Sequence, residues 1–400
     1  MTSMEYHRRA MNCIAQGALT NSKRPESFVK GVYPTHLVKG SGCQVMDTAG
    51  KWYVDFICGM GTNLLGYGNE LIAREIMKHV REGTCLSLST IYEIEAAEAV
   101  KEVFPFIDAV KFVKTGSEAC SAAIRIARGA TGRDRILSDG YHGWHDDFVS
   151  LTSPAHGIPY AGDRIKKLGD APLDETVAAV IVEAVGLDGS AERMKFLTDL
   201  RAQCDKVGAL LIFDEIITGF RYQRHGVSNV SGVLPDLLCI GKAMGGGLPL
   251  SAVCGKANLM HDTRYFVSST FGGEILSLVA CKAFIRALQQ KVPIEEIWMQ
   301  ADQMRTKLSE ILAPIGMKIE GYATRGVFKG DDHTKGLLFQ ELCKGGILVG
   351  ATWFYCAKHI EHAPQVYTAF HDVVERILLG RVELEGELPT SPFAQKVRGQ

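Results

Sequence analysis

The chain has 400 residues, 46% hydrophobic and 22% charged, which suits a soluble globular protein of about two or three domains and excludes a disordered or fibrous one. Its 44 Lys and Arg nearly cancel 45 Asp and Glu, so the net charge of −1 offers no global attraction to nucleic acid or anionic lipid. Eleven cysteines, an odd number with no Cys-x-x-Cys, suit reduced and mostly buried thiols rather than a disulfide framework or a zinc site.

Residues 1–45 mix an Arg-containing amphipathic stretch with Gly, Pro and Ser punctuation and read as an N-terminal arm. Glu5, His7, Arg8 and Arg9 precede any apolar run, which is not a secretory signal, although a transit-peptide reading stays open; the expected location is the cytoplasm. The uncharged stretches Phe56 to Asn69 and Ala243 to Gly255 are broken by glycines and fall short of the ~18 apolar residues of a membrane helix. From 46 to 290 short apolar runs alternate with helical patterns, the signature of a large α/β domain around a mainly parallel sheet. Its expected buried strands are Val110–Val113, Arg135–Ser138, Ala178–Glu183, Ala209–Asp214 and Asp236–Ile240. Residues 291–384, together with the N-terminal segment, read as a smaller α/β domain, and 385–400 as a polar, loosely fixed tail.

In open α/β sheets ligands collect beyond the C-terminal ends of the strands, so the residues standing there carry the chemistry. After Val113 comes Thr115-Gly116-Ser117-Glu118-Ala119, then a helical pattern with Ala119, Ala122, Ala123, Ile126 and Ala130 inward and Arg125 and Arg128 outward. Gly116 permits close approach, Ser117 reads as the N-cap, and the first-turn amides form an anion site or simply a capped helix. After Ser138 stand Tyr141, His142, Trp144, His145, Asp146 and Asp147. An aromatic there can stack on a flat ligand, while the His and Asp residues also admit a metal reading that Gly143 and the lack of a matching cluster disfavour.

Glu183 follows Val182, and Asp214 and Glu215 follow Phe213. A carboxylate directly after a buried strand requires a cation, either the protonated ring nitrogen of a cofactor or a structural partner such as Arg221. After Ile240 comes Gly241-Lys242-Ala243-Met244-Gly245-Gly246-Gly247-Leu248-Pro249. Desolvation lowers an amine's pKa, which makes Lys242 a candidate Schiff-base nucleophile rather than surface decoration. An anion cradle, a stacking aromatic, a carboxylate and an imine lysine together answer the phosphate, ring, ring nitrogen and aldehyde of pyridoxal 5′-phosphate (PLP).

Tyr141-His142-Gly143, Asp214-Glu215-Ile216-Ile217-Thr218-Gly219-Phe220-Arg221 and Gly241 to Pro249 resemble the signature of class III aminotransferases, and within that class the glutamate-1-semialdehyde 2,1-aminomutases. The resemblance is strong from about Val45 to Ala283 and weaker to about Phe370. It implies fold type I, with a mainly parallel seven-stranded sheet in the large domain, a smaller C-terminal domain, and a homodimer whose sites lie at the subunit interface. By the same resemblance Lys242 holds PLP as an imine and then moves a proton, Asp214 keeps the ring nitrogen protonated, and Tyr141 and Ile216 cover the two ring faces. Gly116 and Ser117 bind the phosphate together with Thr270 of the neighbouring subunit. His142 joins the cofactor site, as does Glu183, which resembles an acid before a Pro-Val pair although Ala184 replaces the proline.

The departures concern the substrate. Gly59-Met60-Gly61 stands where the aminomutases have Ser-Trp-Gly, so Met60 replaces an aromatic wall. Trp353 to His359 lacks their late Phe-Glu pair, and Arg24 is one residue out of step with their carboxylate-binding arginine. Arg325 is a second candidate for an anionic substrate group. Asp163 to Asp170, after Ser153 to Pro159, resembles a lid or is an irregular surface loop. The expected activity is amino transfer on a small amino or carbonyl substrate, between molecules or within one. A racemase, an enzyme acting on a sugar- or nucleotide-linked amine, and a non-catalytic binding homologue are the alternatives.

Overall fold

The computed structural model describes residues 3–151, 157–158, 164–187, 189–262 and 264–390. The expected lid therefore lies partly outside the described residues, at 152–156 and 159–163, as does the tail at 391–400. In chain order the strands are β1 (Leu37–Ser41), β2 (Gln44–Asp47), β3 (Trp52–Asp55), β4 (Ala109–Val113), β5 (Arg135–Asp139), β6 (Ile165–Lys167) and β7 (Val177–Glu183). They continue with β8 (Leu210–Glu215), β9 (Leu237–Ile240), β10 (Ser251–Gly255), β11 (Lys318–Tyr322), β12 (Arg325–Lys329), β13 (Ile347–Leu348) and β14 (Thr352–Phe354).

Two compact units divide the chain: Glu70–Glu295, and Met1–Asn69 with Glu296–Gln400. In the first, seven strands run in the order β4-β10-β9-β8-β7-β5-β6. Strands β5 to β9 pair in parallel, and β10 runs antiparallel to both β9 and β4. The five strands expected from apolar runs are all present, each bound within a residue of its expected position. They were legible because burial on both faces leaves a near-continuous apolar sequence: all of Val177–Glu183 but the last residue is buried.

The helix Gly116–Thr131 packs on this sheet through Ala119, Ala122, Ala123 and Ala127, with Ile124 and Ile126 filling the space toward Ile136, Ile181 and Ile212. Small residues on that face let the helix approach closely and set its first turn beside the strand ends. Ala130, expected inward, is exposed in the last turn before the left-handed Gly132 (φ 68°) ends the helix.

The other unit holds a four-stranded sheet, β1-β2-β3-β13, and a three-stranded one, β11-β12-β14. Here the boundary expected at residue 46 differs from the structure. Strand β3 pairs with β2 and runs parallel to β13, Val54 opposite Ile347 and Asp55 opposite Leu348, so 46–69 groups with C-terminal sequence that no local pattern could announce. Phe56 reinforces this pairing by stacking on His359 (4.2 Å between ring centres) and Trp353 (5.8 Å). The start of the tail is also better fixed than expected. Glu387 bridges to Lys30, the Thr390 amide donates to the Glu26 carbonyl at 2.7 Å, and the Gln340 side chain accepts from the Glu385 amide at 2.8 Å. None of the eleven cysteines is in a disulfide and nine are buried. Among the described residues no helix is long and apolar enough to cross a membrane.

Candidate active site

Strand register aligns the chemistry of the Glu70–Glu295 unit. Glu183 at the end of β7 lies opposite Asp214 of β8, and Asp214 lies opposite Cys239 of β9, one residue before that strand ends and three before Lys242. Around these ends the structure gathers Gly116, Ser117, Tyr141, His142, Glu183, Asp214, Ile216 and Lys242, all within one unit.

The helix start is built differently from the expectation. Thr115, not Ser117, is the N-cap: its hydroxyl accepts from the Glu118 amide at 3.2 Å, and the Glu118 carboxylate accepts from the Thr115 amide at 2.7 Å. A cap must reach the amide three residues on, and the Thr-x-x-Glu spacing was the available signal for it. Ser117 is buried in the first turn, two residues after the cap, where its hydroxyl accepts from the Trp144 amide at 3.2 Å. Gly116 sits so close to Ile216 that a Cβ would lie 3.0 Å from Ile216 Cγ2. This first turn therefore offers an anion the amides of Gly116 and Ser117 and the Ser117 hydroxyl.

Beyond β5 the chain turns sharply. Gly140 (φ +117°) faces Glu183, and a Cβ there would lie 2.8 Å from Glu183 Cγ. Glu183 Oε1 accepts from the Tyr141 amide at 2.8 Å, so this acid fixes the backbone that carries the aromatic ring. Tyr141 is 44% exposed, and burial of the rest, with the nearby charge of Asp214, raises its hydroxyl above the usual tyrosine range. Gly143 (φ +106°) presses on the helix start, where a Cβ would meet Ser117 Oγ at 2.3 Å.

Asp214 is 6% exposed, and both of its oxygens accept hydrogen bonds. His142 Nδ1 lies 2.8 Å from Oδ2, the Cys120 thiol donates to the same oxygen at 3.4 Å, and the Ile216 amide donates to Oδ1 at 3.0 Å. Burial pushes this carboxyl up, but the His142 bond and charge, the Ile216 amide and the Lys242 charge outweigh it and hold the group below its ordinary value. The partner of Asp214 is thus His142, while Glu215 is met by the Thr218 hydroxyl (2.8 Å) and the amides of Val227 (2.7 Å) and Ser228 (2.8 Å). His142 stands behind Asp214 with Nε2 buried and unpartnered.

Lys242 follows β9 half-buried and with φ 44°, a left-handed conformation that a non-glycine residue adopts at a cost of about 1–3 kcal/mol. The preceding Gly241 is fixed by close packing, since a Cβ there would lie 2.4 Å from Ser251 Oγ and 3.0 Å from Ile216 Cδ1. Such strained residues concentrate at functional sites, and this one is a lysine on a strand end, one strand from a buried acid.

The metal reading of the β5 turn loses its ligand set. His145 Nδ1 lies 2.8 Å from Ser121 Oγ, Asp147 pairs with Arg128 at 3.1 Å, and these residues with Trp144 and Asp146 border an open surface cavity of about 500 Å³. His142 instead clusters with Cys120 and Asp214, their ligand atoms within 4.8 Å, as a hydrogen-bonded group. Cys120 went unnoticed in sequence because it reads as one more small residue on the buried helix face.

Thr270 is exposed, on a loop that also exposes Phe266 and Phe271, and borders a surface cavity of about 380 Å³ with Cys85 and Phe112. Arg24, Met60 and Arg325 belong to the other unit. Met60 (φ 63°) lies in the turn whose Gly61 abuts Phe354, where a Cβ would lie 2.8 Å from Phe354 Cε1, and Arg325 is the strand partner of that same Phe354. Arg24 stands before Pro25 with its Nε buried and unpartnered.

These residues fit PLP: glycine positions held open by close contacts, an anion-ready helix start, a carboxylate kept ionised in a buried setting, an aromatic face and an amine. The sequence profile of class-III aminotransferases matches residues 28–161 and 160–352. The chain is 30% identical over 346 residues to a glutamate-1-semialdehyde 2,1-aminomutase of Aquifex aeolicus (strain VF5), covering 80% of this chain and 81% of that protein. It is 31% identical over 325 residues to a 3-aminobutyryl-CoA aminotransferase of Cloacimonas acidaminovorans (strain Evry), covering 76% and 78%. The FumI protein of Sphingopyxis sp. MTA144, solved with PLP, shares the fold at a TM-score of 0.86 and 24% identity over 95% of this chain and 98% of that one. Sequence motifs, site and fold agree: the chain belongs to the class-III aminotransferase family, a PLP-dependent enzyme of fold type I.

Proposed function

We propose that this enzyme transfers an amino group on a small amino or carbonyl substrate through Lys242 and Asp214, in a pocket altered from that of the glutamate-semialdehyde aminomutases. The observation that carries the reading is the buried Asp214, held ionised by His142, the Ile216 amide and the Lys242 charge. PLP, when bound, supplies an aldehyde that condenses with amines and a ring that delocalises the electron pair left by a departing proton. Asp214 holds the proton on the ring nitrogen. Gly116 and Ser117 bind the phosphate from the helix start, and Tyr141 and Ile216 flank the ring, with Glu183 and His142 fixing Tyr141 and Asp214 from behind. Lys242 Nζ holds the cofactor between turnovers and, once released, takes a proton from the substrate carbon and returns it.

Met60, in the turn whose Gly61 abuts Phe354, Arg325, the strand partner of Phe354, and Arg24, with its unpartnered Nε, are the substrate-selecting candidates. Loss of the aromatic wall at position 60 favours a substrate other than glutamate semialdehyde. We further propose a homodimer in which Thr270 reaches the phosphate of the neighbouring site, supported by the exposure of Thr270, Phe266 (77%) and Phe271 (57%) on one loop. A cytoplasmic setting accords with eleven cysteines outside any disulfide. The test is a screen of small amino donors against the holoenzyme, followed by the loss of visible cofactor absorbance. At least one donor bleaches the wild-type band and none bleaches Lys242→Ala; a chain that takes up no PLP, or a Lys242→Ala protein that turns over normally, would refute the reading.

A further inference from the structure

Helix Gly116–Thr131 touches the site twice. Its first turn offers Gly116 and Ser117 to an anion, and one turn on, Cys120 reaches Asp214, with Sγ 3.4 Å from Oδ2. Cys120 is 1% exposed, and its sulfur also contacts that of Cys239, the residue opposite Asp214 in the β8–β9 register. A carboxylate is a better acceptor than a thiol, so the Cys120 proton is directed to Asp214. The two carboxylate oxygens are then unequal. Among the described residues Oδ2 meets both His142 and Cys120, whereas Oδ1 accepts the Ile216 amide.

We propose that Cys120 is a positioning residue: with His142 it occupies Asp214 Oδ2 and fixes the carboxylate plane, so that Oδ1 is the oxygen left to receive the protonated ring nitrogen of PLP. The inference rests on the assignment of Asp214 to that nitrogen. One helix thereby sets both ends of the cofactor site, the phosphate end through backbone amides and the nitrogen end through a thiol. Burial and the neighbouring Cys239 and Asp214 raise the Cys120 thiol far above its ordinary value, which keeps it a donor over the working pH range.

The test compares wild type, Cys120→Ala, Cys120→Ser and Asp214→Asn for PLP dissociation constant, by titration of the apo-protein, and for the visible spectrum of the bound cofactor. Loss of a thiol bond to a buried carboxylate should raise the dissociation constant about three- to tenfold in Cys120→Ala and shift the visible band, while Cys120→Ser, which keeps a donor, stays within about twofold of wild type with the wild-type band. Asp214→Asn should exceed both. Equal behaviour of Cys120→Ala and wild type, or equal loss in Cys120→Ala and Cys120→Ser, overturns the positioning role while leaving Asp214 in place. A wild-type dissociation constant and spectrum in Asp214→Asn overturns the underlying assignment and the inference with it. If Cys120→Ala does not fold, Cys120→Val against Cys120→Ser decides: retention of cofactor and band by Ser but not Val supports the role, and the reverse order, or no difference, contradicts it.

Discussion

Replacing Gly143 by Ala tests whether the turn after β5 and the phosphate-binding helix start are one packed unit. Gly143 has φ +106°, outside the regions an L-residue adopts readily, so alanine there costs about 1–3 kcal/mol in backbone strain. The added Cβ would also lie 2.3 Å from Ser117 Oγ and 2.8 Å from both Ser117 Cα and Cβ. Such overlap must move the turn or the helix start, a further cost of about 1–3 kcal/mol. The sum is a loss of about 2–6 kcal/mol in the apo-protein, readable as a lower urea midpoint with an unchanged slope. Because the displaced atoms are those of Ser117, whose hydroxyl takes the Trp144 amide, affinity for PLP should fall as well. The informative pair of measurements is urea unfolding of apo-protein and PLP titration on the same preparations. A variant within 0.5 kcal/mol of wild type on about that scale of error, or one destabilised yet binding PLP normally, would refute the coupling of turn and cradle.

Asp214, held below its ordinary value, contributes stability that is present above about pH 4 and is lost as pH falls through its folded-state value. Apo-protein stability of wild type and Asp214→Asn, followed by urea unfolding, should therefore differ near neutrality and converge on acidification; a gap that does not change with pH contradicts this. In the other unit, Tyr67 donates to the buried Asp55 at 2.5 Å, and Tyr67→Phe should cost about 1–3 kcal/mol by leaving that carboxylate short of a partner, whereas a neutral effect would show the bond to be dispensable. Thr115→Ala removes the helix cap and should cost about 0.5–2 kcal/mol, while Ser117→Ala should leave stability nearly unchanged and weaken PLP binding; the opposite assignment of losses would restore Ser117 as the cap.

The parts of this protein that were legible in sequence are those encoded locally. Buried strands announced themselves as short apolar runs, and the residues left at their ends, Asp214 after Phe213 and Lys242 after Ile240, are where a sheet of this kind exposes chemistry. What escaped depends on distant partners. Residues 46–69 group with the C-terminal sequence only because β3 finds β13, nearly 300 residues on, and Glu385 to Thr390 are fixed by Lys30, Glu26 and Gln340. Cys120 is indistinguishable from its alanine neighbours until helix and sheet meet over Asp214. His142 also admitted a disfavoured metal reading, and its 2.8 Å approach to Asp214 is what gives it a place. Ser117 was mistaken for the cap because it is the residue next to the glycine, although Thr115 and Glu118 carry the reciprocal spacing.

The central claim, that Lys242 is the residue that holds PLP, is tested most directly by borohydride reduction of the holoenzyme followed by proteolysis and mass spectrometry. The account predicts one reduced pyridoxyl adduct per chain, on Lys242, in a protein whose visible absorbance has disappeared. An adduct on any other lysine, or a holoenzyme with no adduct after reduction, would contradict it.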